Sequence, residues 1–332
     1  MVMDTTTSYL GLRLAHPFIV GASPMGYSLD TIKRLEDAGC AAIVLHSLFE
    51  EQISLATEGR VAHVDPLDPR FANIVADFPP PSDYRFGPDG YAQHLAKVKA
   101  AVGIPVVASL NGHTGESWLK FARIIEQAGA DALEFNYYDV AADLTVSAAG
   151  IEDALVTAVG NLARAVRIPV AVKLTPFYTA FGHLASALDR AGASGLVLFN
   201  RFYQSDVRTR TMTLEPQAEL STSAELPLRL HWLALLHGRV RPSLAVSGGV
   251  ATPDDGIKAL LAGADAVQIV SAILRHGPAH IGAMRQALER WLEWQHIETV
   301  SQMIGRASLQ ASPDPAAFER AHYIRTLQSW TR

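Results

Sequence analysis

Glu126-Gln127-Ala128-Gly129-Ala130 runs at once into the apolar stretch Ala132–Phe135, and the chain repeats that phrase three more times. Glu36-Asp37-Ala38-Gly39-Cys40 precedes Ala42–Leu45, Asp189-Arg190-Ala191-Gly192-Ala193 precedes Gly195–Phe199, and Leu260-Leu261-Ala262-Gly263-Ala264 precedes Ala266–Val270. Each reads as a helix ending on a left-handed glycine and followed directly by a buried strand. A second join alternates with it. Gly103-Ile104-Pro105-Val106 and Arg167-Ile168-Pro169-Val170 put proline at a strand start, where no ladder donor is needed, and continue into Val107–Leu110 and Ala171–Leu174. Pro17–Ala22 and Leu244–Ser247 bring the strands to eight. Near-continuous apolar strands indicate parallel pairing covered on both faces. One unit repeated in this way predicts an α/β TIM (β/α)8 barrel rather than an open doubly wound sheet.

Working outward, two long excursions interrupt the repeat: His46 to about Gly90 after strand two, and Arg201 to about Leu226 after strand six. Both follow strands, so both belong to the C-terminal face, where barrel enzymes do their chemistry. Loops of this length inside a compact domain are usually functional. Pro79-Pro80-Pro81 stiffens the first of them. After strand eight a helix is expected at about His280 to Gln295, and an amphipathic end, Ala316–Trp330, is expected to serve packing or dimer contact. The 332 residues, 49% of them hydrophobic, suffice for one large core, so residues 1–332 are expected to form one barrel domain. The net charge of −5 gives no footprint for nucleic acid or an acidic membrane. A single cysteine, Cys40, excludes an internal disulfide and any iron–sulfur cluster held by this chain alone. The start lacks the pattern of a signal peptide, and no run reaches the roughly 18 apolar residues of a membrane span. A cytoplasmic protein acting on small molecules is the expectation.

Strand seven runs into Ser247-Gly248-Gly249 and then Thr252-Pro253-Asp254, an N-cap ahead of a proline at the first helical position. Strand eight ends on Gln268-Ile269-Val270-Ser271-Ala272. These are the two loops that commonly form a phosphate site in barrels, here made of paired glycines and small residues. The simpler reading is two glycines needed only for a tight turn.

Further residues extend the pattern: Pro17–Pro24 on strand one, Ala108-Ser109-Leu110-Asn111, Glu134-Phe135-Asn136, Val172-Lys173-Leu174, Phe199-Asn200, and the stretches Leu48–Gln52 and Asn200–Gln204. Together they resemble the dihydroorotate dehydrogenase family of FMN-binding barrels, specifically its dihydroorotate dehydrogenase-like branch, over nearly the whole chain. The resemblance implies FMN as cofactor. Its contacts would come from Ala22, Ser23, Ser47, Asn111, Asn136 and Lys173, with Gly248, Gly249, Ser271 and Ala272 at the phosphate. Asn111 and Asn136 are otherwise read as strand-end caps. Lys173, a lone charge on an apolar strand, needs a buried partner; the flavin's pyrimidine edge is one and Glu134 is the other. Asn200 and Arg201 would bind substrate, with Arg201 ranked above Arg208 and Arg210 as a fork for a carboxylate.

The chain also departs from the family's pattern. The loop after strand four reads Asn136-Tyr137-Tyr138-Asp139-Val140, without the Cys or Ser that serves as base in the family. Asp139 falls at the base position, and Tyr138 offers a second candidate. His46 replaces the strand-two lysine and offers a hydrogen-bond donor or proton carrier; the other reading is a structural histidine. Ala141 and Ala142 stand where a second asparagine is expected, and around Asp77-Phe78-Pro79-Pro80 the expected asparagines are absent. The expected function is an FMN-dependent oxidoreductase that moves hydride between flavin and a small dihydropyrimidine-like or carboxylated substrate. A separate electron-transfer protein is a possible partner chain and a homodimer is expected. Two alternatives stand beside it: a flavin-free lyase or isomerase using Lys173 as a Schiff-base nucleophile on a phosphorylated substrate, and a flavin-binding protein without the family's activity.

Overall fold

The computed structural model describes residues 3–59, 79, 83–112, 117–201, 204–217 and 219–330. Eight parallel strands close into a barrel in sequence order: β1 (Phe18–Val20), β2 (Ile43–Phe49), β3 (Val106–Gly112), β4 (Ala132–Tyr137), β5 (Val170–Leu174), β6 (Gly195–Leu198), β7 (Ser243–Ser247) and β8 (Ala266–Ile269). The ring closes where β8 pairs with β1, Val267 opposite Phe18. All eight strands coincide with the apolar runs named above. The four repeat glycines, Gly39, Gly129, Gly192 and Gly263, have φ of 87°, 93°, 104° and 121°, a backbone only glycine adopts without strain.

The barrel interior follows from the two-residue period of a strand. Ile19, Val44, Val107, Ala132, Ala171, Val197, Ala245 and Ala266 form one apolar layer, separate from the larger core between barrel and helices. An antiparallel hairpin, Thr7–Tyr9 with Leu12–Leu14, plugs the N-terminal end with Tyr9, Leu10 and Leu14, all buried. Two residues further along the strands, the inward positions turn polar: Ser109, Glu134, Lys173 and Gln268. Asn111 and Asn136 follow after two more. Period two thus stacks an apolar floor, a charged middle and an amide rim toward the C-terminal face.

Strand β2 breaks this parity. Val44 pairs with Val107 but Ser47 pairs with Ser109, so three steps on one strand match two on its neighbour. The inserted residue is a β-bulge, which re-aims the side chains beyond it. Ser47 therefore meets Ser109, Oγ to Oγ at 2.8 Å, and His46 turns away from the interior.

The first excursion begins with a helix, Glu50–Glu58; Asp77, Phe78, Pro80 and Pro81 lie outside the described residues, as do Phe202 and Tyr203 of the second. That second excursion carries an antiparallel hairpin, Gln204–Arg208 with Thr213–Gln217, on which Val207 and Leu214 are exposed. The helix after β8 spans Ala279–Trp294, and the last spans Pro315–Ser329. This last helix buries no residue, and Phe318, Tyr323, Ile324 and Leu327 remain exposed. It is a surface helix in the single chain, not one packed through an apolar face.

Candidate functional site

The charged middle layer is a closed triad. Lys173 Nζ donates to Glu134 Oε1 at 3.3 Å and to Gln268 Oε1 at 3.4 Å, while Gln268 Nε2 donates to Glu134 Oε2 at 2.6 Å. Lys173, Glu134 and Gln268 are at most 5% exposed. Buried charges need this degree of partnering to be tolerated. The ion pair with Glu134 is present, and Lys173 nevertheless also lines a cavity.

That cavity, about 220 Å3, is walled by Ala22, Lys173, Gly248, Gln268 and Ser271, with Ser221 and Leu220 from the second excursion. Its position joins the ends of β1, β5, β7 and β8. Gly248 and Gly249 have φ of 78° and 80°. A Cβ on Gly248 would stand 2.8 Å from Arg229 Nη2, and one on Gly249 would stand 2.7 Å from Leu226 N. The tight-turn requirement is therefore real, and it comes from the Leu226 backbone at Gly249 and from a buried arginine at Gly248: Arg229 donates from Nε to Ser247 O at 2.6 Å and from Nη1 to Glu225 O at 2.7 Å. Ser271 begins the short helix Ser271–His276, and its hydroxyl accepts from Ser221 N and Ser221 Oγ, each at 3.0 Å. Arg275 fastens the same segment by donating to the carbonyls of Ser221 and Leu220, each at 2.7 Å. Ala272 is buried behind Ser271.

A second, larger cavity of about 800 Å3 opens beside the first. Ser47, Phe49, Glu51, Tyr84, Asn111, Asn136, Tyr138 and Asp139 line it, and Asn200 and Arg201 line both cavities. Asn200 Nδ2 donates to Asn136 Oδ1 at 3.0 Å, so the amide rim is internally bonded as well as open to the cavity. Asp139 and Tyr138 are half-buried. Tyr137 beside them is buried; burial first, then the charges of Asp139 and Glu50, push its hydroxyl up to about 12. Arg201 reaches Glu225 Oε1 at 2.7 Å, whereas Arg208 pairs with Glu215 on the hairpin and Arg210 sits in its turn.

His46 lines neither cavity. Its ring lies 4.1 Å from that of Tyr27 and 5.0 Å from that of Tyr91, with Phe86 and His94 around it. Burial there lowers its pKa from 6.5 to about 4, so at neutral pH it is uncharged and remote from the cavity. The bulge in β2 is the physical reason, and it makes Ser47 the strand's contribution instead. Sequence reasoning missed Gln268, Ser221, Glu225 and Arg229. The signal for Gln268 was available: it stands two residues before Val270, in phase with Ala266, on the inward face.

Among the described residues no group of three or more His, Cys, Asp or Glu side chains is placed to hold a metal ion. No helix among them is long and apolar enough to cross a membrane.

Comparison with known proteins matches residues 85–292 to the family model described as dihydroorotate dehydrogenase. The chain is 25% identical to the catalytic subunit of dihydroorotate dehydrogenase B (NAD(+)) from Thermoplasma volcanium, over 92% of this chain and 98% of the relative. It is 30% identical to the protein of the same name from Methanocella arvoryzae, over 82% and 87% respectively. It is 23% identical to the NAD-dependent dihydropyrimidine dehydrogenase subunit PreA of Escherichia coli K12, over 94% and 79%.

Proposed function

Since the chain belongs to the dihydroorotate dehydrogenase family and is an oxidoreductase of that type, we propose that it holds the phosphate end of FMN in the smaller cavity, with the ring reaching into the larger one at Asn111 and Asn136, and oxidises or reduces a carbon–carbon bond of a small ring bound there. The carrying observation is the junction. One cavity has the glycine pair, Ser271 and Lys173, the other has Asp139, and Asn200 and Arg201 line both.

The chain's own residues fit the cofactor on two counts. The Ser23 hydroxyl, at the end of β1, is buried with no hydrogen-bond partner among the described residues, a vacancy of the kind a ligand fills. A Cβ on Gly21 would lie 3.0 Å from Val270 Cγ2 and 3.2 Å from Gln268 Oε1, so only glycine leaves this wall clear. Backbone amides at Gly248 and Ser271 would receive the phosphate, and Lys173, Asn111 and Asn136 the polar edge of the ring.

FMN, when bound, supplies the acceptor for a hydride leaving one substrate carbon. Asp139 takes the proton from the adjacent carbon, so the substrate's two C–H bonds break and one carbon–carbon double bond forms. Tyr137 stays protonated, its hydroxyl held near 12, and remains a donor beside the base. Phe49, Tyr84 and Tyr138 narrow the cavity and exclude water from the reacting carbons. All three of these relatives are named as subunits, which supports an electron acceptor on a separate chain.

The test is anaerobic mixing of the FMN-loaded protein with dihydropyrimidines and their carboxylated analogues, following flavin bleaching. Asp139→Asn is expected to slow reduction at least about a hundredfold with flavin retained. Reduction at the unaltered rate rejects Asp139 as the base.

A further inference from the structure

We propose that the larger cavity selects against negative charge: its substrate is a small ring without a carboxylate that presents N–H donors, best of all a protonated amine, to Glu51 and Asp139. This rests on the oxidoreductase reading above and narrows its substrate.

The charges around the cavity decide the matter. Among the described residues, two carboxylates, Glu51 and Asp139, and one guanidinium, Arg201, stand in its wall. Arg201 is already answered by Glu225 at 2.7 Å. Glu51 and Asp139 have no ion-pair partner among the described residues. The remaining polar wall, Asn111, Asn136, Asn200 and Ser47, is uncharged. One amide acceptor there, Asn136 Oδ1, is taken by Asn200, and the Ser47 hydroxyl by Ser109.

A carboxylate entering this space meets two like charges. To gain a partner it must draw Arg201 off Glu225, which exchanges one ion pair for another and leaves Glu225 only its longer contact with Arg229 at 3.9 Å. A ring with N–H groups has the opposite experience, because the Glu51 and Asp139 carboxylates have no ion-pair partner among the described residues, and a charged donor makes the stronger bond. The field of Glu51 is felt across the wall: after burial, it is the cause that raises the Tyr84 hydroxyl above its usual value. The apolar faces of Phe49, Tyr84 and Tyr138 suit a flat ring between these acceptors.

Isothermal titration of the FMN-loaded protein with three rings of one skeleton reads this directly: uracil, its carboxylate orotate, and 5-aminomethyluracil. The expected order is amine tightest, then uracil, then orotate, with at least about a tenfold span between the ends that shrinks as salt rises. Glu51→Gln is expected to lower the advantage of the amine. Glu225→Gln, which frees Arg201, is expected to raise the affinity for orotate.

Orotate binding tightest, all three binding alike, or none binding overturns the proposal. A yellow protein that prefers orotate overturns only the charge selection and leaves the oxidoreductase standing. A protein that takes up no flavin overturns the oxidoreductase, and the same titration of the flavin-free protein then decides the charge selection.

Discussion

The end of β7 and the loop after β4 close the same face of the barrel, and they are built in opposite ways. At Gly248-Gly249 the wall is backbone, fixed from behind by Arg229 and from the side by the Ser221–Ser271 contacts. Around Asp139 the wall is side chains on a loop whose further residues, Val140, Leu144 and Val146, are exposed. A backbone cradle recognises what any phosphate offers and tolerates little change. A side-chain wall on a loop recognises one substrate and can be rewritten without disturbing the barrel. On the proposed reading the cofactor would lie against the fixed end and the substrate against the end that can be rewritten.

The contrast can be broken at its centre. Lys173→Ala leaves Glu134 buried with only Gln268 to answer its charge, and is expected to lower unfolding free energy by about 3–5 kcal/mol. Urea denaturation reads this, and an unchanged midpoint would show that the triad contributes no stability. Flavin retention should fall in the same variant.

His46 sharpens the boundary of the substrate end. Its folded pKa, about 4, lies below the usual 6.5, so the unfolded chain takes up its proton first as pH falls. The stability it contributes is complete above 6.5 and lost on the way down to about 4, at most about 3 kcal/mol. His46→Phe should flatten that part of the slope between pH 7 and 4.5. His16, lowered to about 4 mainly by burial, should keep its own share. An identical slope in the variant would place the His46 ring in water.

At the backbone cradle, Gly248→Ala forces a side chain into a left-handed backbone and against Arg229. The expected cost is about 1–3 kcal/mol, together with weaker FMN uptake. Wild-type melting and uptake would mean that the glycine is dispensable. The smallest effect is expected farthest from both ends: Arg208→Ala removes an exposed pair with Glu215 and should change stability by less than about 0.5 kcal/mol.

The barrel was legible because its signals are local and repeated. A glycine after each helix and an apolar run after each glycine survive without knowledge of partners. The tight turn at Gly248-Gly249 was legible for the same reason, its glycines being loop residues beside a strand already counted. His46 was misjudged because its direction is set by pairing register between β2 and β3, and no residue within Ile43–Phe49 announces the inserted position. Arg229 and Ser221 escaped notice because they act across distant segments, one from a helix after the second excursion and one from the excursion itself. The pairing of Arg201 with Glu225 is likewise a meeting of two segments.

The central claim is that the two cavities join a flavin to a substrate wall across Asn200 and Arg201. It is tested most directly by titrating the purified protein with FMN and measuring bound flavin by its absorbance near about 450 nm. The account predicts saturation at one FMN per chain, with uptake lowered by Gly248→Ala and Lys173→Ala. No uptake, or borohydride trapping of a carbonyl compound on Lys173, would contradict it.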